Sequence, residues 1–141
     1  MEICMKKVSI SIVTIILVLI SVFSLASCMS TVENVESVID SVCCSDPKYS
    51  SRKSKDEVLE VIVTELEDEM DASFEGDLVA YYTFSDKSSL NYCAIFVFEK
   101  EADAKLLESR ADDVLLIPVE RKGCVLLAGE ESLVKLLVER L

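Results

Sequence analysis

Val8 to Phe23 carries 12 apolar residues in 16 and no charge, interrupted only by Ser9, Ser11, Thr14 and Ser21. Lys6 and Lys7 precede this run, and Leu25-Ala26-Ser27 follow it. A positive start, an apolar middle and a small-residue end are the three parts of an export signal. A membrane span needs about 20 apolar residues, and this run is shorter. A fold must therefore be built from what remains. The first 27 residues hold 18 of the apolar side chains, and the other 114 keep an ordinary globular share. That length predicts one small domain.

Leu25-Ala26-Ser27-Cys28 resembles the lipobox of bacterial lipoproteins: an aliphatic residue, two small residues and then Cys. The resemblance covers residues 1–28 and does not extend to the rest of the chain. It implies that the signal, 1–27, is removed and that the thiol of Cys28 carries a diacylglyceryl group. Cys28 is thus the candidate lipidation site, and the membrane, held through that lipid, is the first expected partner. Two acyl chains anchor a protein far better than one. The expected location is the extracytoplasmic side of a cell membrane.

Without Glu2, Lys6 and Lys7, 25 acids face 12 cations, a net charge of −13. Phosphate binding needs clustered Lys and Arg, so nucleic acid is not an expected partner. The absence of His removes Ser-His-Asp and Cys-His catalysis and imidazole metal ligands. An acidic domain is repelled by an anionic bilayer. Residues 28–55 read as an anchored helix and a polar tether. Val32, Val35, Val38, Ile39 and Val42 have helical spacing, with Ser30 and Glu33 as a capping box. Ser45 to Lys55, SDPKYSSRKSK, reads as a linker whose cations could touch lipid headgroups.

Residues 56–141 read as a small acidic α+β domain in two layers. Ser54 and Glu57 fit a second capping box before a stripe of Leu59, Ile62, Val63, Leu66 and Met70. Gly76 permits a turn. Leu78–Phe84 and Tyr92–Phe98 read as a hairpin. Glu99–Arg110 reads as a helix with Ala102, Leu106 and Leu107 inward. Val114–Val119 and Cys124–Ala128 read as a second hairpin turning at Gly123, with Pro118 marking an edge. Glu131–Leu141 closes the chain as a helix. The order is α-ββα-ββα, and the halves echo one another at an offset of 30, Lys105-Leu106-Leu107 against Lys135-Leu136-Leu137. Pairing 92–98 with 124–128 in parallel at the centre allows a permuted ferredoxin-like sheet; both runs are apolar enough for strands covered on two faces.

Little in this domain predicts chemistry. Cys93 and Cys124 begin neighbouring strands in that arrangement, so they read either as a disulfide or as two separate buried thiols. Cys43-Cys44 is adjacent rather than Cys-x-x-Cys, and it suits neither redox exchange nor tetrahedral zinc. Glu65 to Asp77 holds seven acids in 13 residues but lacks an EF-hand spacing, and it reads as a solvated helix end. Tyr81 and Tyr82 should point to opposite faces of their strand. No catalytic residue, metal or cofactor is expected. The sequence reads as a lipid-anchored envelope protein that binds another envelope protein or a cationic ligand. The alternatives are a structural subunit of an envelope complex and a thiol-based enzyme.

Overall fold

The computed structural model describes residues 31–141. The expected signal, 1–27, and Cys28 lie outside the described residues. The chain is helical from residue 31 to 45, here α1. There follow β1 (Tyr49–Lys53), α2 (Asp56–Met70), β2 (Leu78–Asp86), β3 (Asn91–Phe98), α3 (Glu101–Val114), β4 (Val119–Lys122), β5 (Val125–Gly129) and α4 (Glu131–Val138). The α+β class read from the sequence is the class observed. The strands make one sheet in the order β1-β2-β3-β5-β4, with every neighbouring pair antiparallel.

The strands at the centre are the two most continuous apolar runs. In β3, Cys93, Ile95 and Val97 bury on one face, and Ala94, Phe96 and Phe98 on the other. In β5, Val125 and Leu127 alternate with Leu126 and Ala128 in the same way. The first face packs against Val35, Ile39 and Val42 of α1 and Leu133, Val134 and Leu137 of α4. The second packs against Leu59, Leu66 and Met70 of α2 and Ala104 and Leu107 of α3. Helices therefore cover both faces, a third layer that the two-layer expectation granted only in part, through helix 56–72.

Three expectations are corrected. The first is the parallel centre and, with it, the permuted ferredoxin-like sheet. A single 14-residue helix, about 21 Å long, follows β3 and returns the chain to the end where β3 began. So β4 runs parallel to β3, and its hairpin partner β5 runs antiparallel. The echo between the halves is likewise one of local pattern. The two ββα units have antiparallel inner strands and place their helices on opposite faces, so they are of opposite hand and no rotation superposes them.

The second correction removes the tether within the described residues. Residues 31–45 contribute three nearly inaccessible side chains to the core, each worth roughly 1.5–3 kcal/mol of burial. The supposed linker contains β1, which pairs with β2 along its whole length. Ladder bonds need only backbone, and a strand at a sheet edge is commonly polar. Tyr49 alone supplies apolar anchorage, its ring 5.3 Å from that of Phe84.

The third concerns α3, which runs on to Val114 and so takes the start of the strand expected at 114–119. Its inward residues are Asp103, Ala104, Leu107 and Ala111, while Ala102 is exposed. Val114, Leu115 and Ile117 pack against the second cluster, and β4 starts only after Pro118. The edge position expected near Pro118 and the turn at Gly123, φ 60°, are both present. The more demanding glycine is Gly129. At φ 155° it pairs with Cys93, and a β-carbon there would overlap the Tyr92 carbonyl oxygen.

Candidate functional site

The first polar cluster joins α1 to the β1 edge. Glu36 sits on α1 between Val35 and Ile39, at the rim of the buried stripe. Its Oε1 accepts from the Tyr82 hydroxyl at 2.7 Å and from Lys53 Nζ at 2.8 Å. Lys53 Nζ also lies 5.7 Å from the centroid of the Tyr82 ring. The ammonium and the phenol hold the Glu36 carboxyl below its usual range. Burial and then the adjacent carboxylate push the Tyr82 phenol up. Tyr82 is therefore a donor at any working pH, and Glu36 an acceptor. With Ile39, Asp40 and Ser51 they line a shallow cleft of about 180 Å³. A second depression, about 470 Å³, lies just beyond it and is lined by residues 53–57.

The thiols lie apart. Cys93 is opposite Gly129, whereas the carbonyl of Cys124 accepts from the Phe98 N–H at the other end of the pair. Five residues of strand, about 17 Å, separate them along β3, too far for a disulfide. The expected proximity depended on the parallel pairing, and the antiparallel register removes it. Burial pushes the Cys93 thiol up to about 12 and, on the flank of α1, raises Cys43 as well. Both are weak nucleophiles as a result.

Of the seven acids in segment 65–77, all but Glu67 are exposed, as the solvated helix end read from the sequence requires, but the backbone of the segment is held. Helix α2 stops at Met70, with Asp71 in the left-handed region at φ 51°. The loop beyond it is tied to α3. Asp103, 1% exposed, accepts from the N–H groups of Glu75 at 2.7 Å and Gly76 at 2.8 Å. Arg110 Nη1 donates to the Met70 carbonyl at 2.9 Å. Sequence reading missed Asp103, because an acid in the first turn of an exposed helix ordinarily serves the helix dipole in water. The only available signal was its placement beside Ala104 and one turn before Leu107 on the inward stripe. Among the described residues no group of three or more acids or thiols is arranged to hold a metal ion.

Tyr81 and Tyr82 do point to opposite faces. Tyr82 enters the first cluster, and Tyr81 packs beside Phe96 at 5.0 Å on the second. Tyr92 stays exposed near the start of β3. Sequence reading also missed the Glu36–Tyr82–Lys53 cluster. Its members lie 46 and 17 residues from Glu36, and only the packing of α1 on the sheet brings them together. No family model, curated protein or solved structure matches the chain.

Proposed function

We propose that this protein is a lipid-anchored binding or adaptor module on the extracytoplasmic side of a bacterial membrane, acting without catalysis. The observation that carries the reading is Leu25-Ala26-Ser27-Cys28 directly after the apolar run. The lipid would be on Cys28. Only Met29 and Ser30 separate that residue from the first described residue of α1, so the domain would stand close to the bilayer. Its acidic balance would keep it from lying flat on anionic lipid. The raised Cys93 and Cys43 thiols and the structural engagement of Asp103 and Glu36 support binding over chemistry.

Mass spectrometry of the membrane-extracted protein tests the anchor, with a diacylglyceryl-Cys28 N-terminus as the expected result. A Cys28→Ser variant should leave the membrane fraction. An intact Met1 or an unmodified Cys28 would sink the anchored reading. Thiolate-selective labelling at pH 6 tests the second half. Rapid reaction of one thiol beyond Cys28 would restore the thiol-enzyme alternative.

A further inference from the structure

The segment 48–55 is the most basic stretch of the described residues. It holds Lys48, Arg52, Lys53 and Lys55 and no acid, whereas the other described residues hold 25 acids against 12 − 4 = 8 cations. The fold makes this stretch a sheet edge, with β1 outermost beside β2. Which backbone groups that edge offers follows from its hydrogen-bond parity. The N–H of Ser54 donates to the Tyr81 carbonyl, and the N–H of Lys87 donates to the carbonyl of Lys48. In an antiparallel ladder a residue that bonds its neighbour alternates with one that faces away. Residues 48, 50, 52 and 54 thus bond β2, and Tyr49, Ser51 and Lys53 face outward. The Tyr49 N–H is taken by the Asp46 carbonyl. The N–H and C=O of Ser51 and Lys53 point along the open edge, together with the Tyr49 carbonyl.

We propose that this edge receives an acidic, extended segment of a partner protein as a sixth strand. The proposal deepens the binding-module reading and rests on that part of it, not on the lipid. Main-chain bonds to Ser51 and Lys53 would hold such a strand, and alternate side chains would sort it. On one face lies Arg52, which has no ion pair among the described residues. Acidic side chains belong on that face. On the other face is the 180 Å³ cleft of Ile39, Tyr82 and the Glu36–Lys53 pair, which suits a small uncharged side chain. A second copy fits poorly, because segment 48–55 against its own copy sets four cations against four. An anionic membrane would satisfy the charge but not the directed N–H and C=O groups.

The test uses the full-length ¹⁵N-labelled protein in neutral detergent micelles. The probe is an acetylated, amidated octapeptide of alternating Val and Glu, with a Val–Lys octapeptide as control. Binding should shift and protect the amides of Ser51 and Lys53 while leaving that of Arg52, already bonded to β2, at its former exchange rate. Arg52→Glu should weaken binding roughly tenfold, since reversing one exposed charge contact is worth about 1–1.5 kcal/mol. Ser51→Pro should abolish binding; its N–H serves no bond to β2, and edge positions of this kind admit Pro. Equal binding of the Lys peptide, protection without the odd–even pattern, or no response at all would overturn the proposal. So would concentration-dependent dimerisation through β1, or binding only to anionic vesicles. Failure here, with a partner still captured elsewhere on the domain, would leave the binding-module reading standing. Thiolate reactivity at pH 6 would sink that reading by itself.

Discussion

The two faces of the sheet are closed by different means. On the face of α1 and α4, fourteen buried side chains form the cluster, and its polar clasp, Glu36–Tyr82–Lys53, lies at the rim where water still reaches it. On the face of α2 and α3 the clasp is inside. Asp103 is almost fully buried and holds two loop N–H groups, and Arg110 holds the carbonyl of Met70, the last residue of α2. A rim clasp contributes little, because water substitutes for any partner it loses. The buried carboxylate of the interior clasp can be satisfied only by the protein, so hydrogen bonds to it are worth more than those at the rim. Helix α1 therefore depends on apolar burial, whereas the loop after α2 depends on one carboxylate.

The largest expected effect tests α1 and β1 together. A chain of residues 54–141 should lose cooperative thermal unfolding, since it uncovers Tyr82, which lies against Glu36 and Ile39, and Phe84, on which Tyr49 stacks. A sharp melt near that of the full chain would show that the first face closes without them. Next comes Asp103→Ala, which removes two hydrogen bonds to a buried carboxylate, worth about 1.5–3 kcal/mol each, a loss of roughly 10 °C or more in Tm. Asp103→Asn keeps one acceptor oxygen and should recover part of this in the same melt. If alanine and asparagine melt alike, the clasp is not what holds the loop.

Smaller effects belong to the rim. Tyr82→Phe removes one hydrogen bond to a carboxylate that keeps Lys53, so urea unfolding should register a loss of only about 0.5–1.5 kcal/mol. A loss as large as that for Asp103→Ala would erase the distinction between the two clasps. The smallest effect is a pH slope. The Glu36 carboxyl lies below its usual range when folded, so its contribution is present above the unfolded value, about 4.3, and fades as pH falls through the folded one. Glu36→Gln should remove that part of the acid-side slope and leave the neutral side nearly flat. An unchanged slope below about pH 4.5 would assign it to other carboxylates.

Much of this was legible in the sequence, and the physical reasons for what was not are specific. Period-two and period-3.6 patterns depend only on which side chains avoid water. They therefore located β2, β3, β5, α2 and α4 and the stripe of α1, and they marked the two central strands by their lack of polar alternation. The edge strand β1 escaped because pairing at an edge needs backbone and hardly any apolar side chain. The sense of β3 against β5 depended on where α3 delivers the chain, which no local pattern records. Of the site, Lys53 was visible only as one basic residue among four, and Asp103 as one acid among many. Composition, the apolar run of residues 8–23, strand alternation and the excess of acid over base were determined by the sequence alone. The faces the helices chose, the handedness of the two ββα units and the outward aim of Ser51 and Lys53 were decided by the tertiary structure. Each of these follows from a contact between distant residues that only the closed sheet brings together.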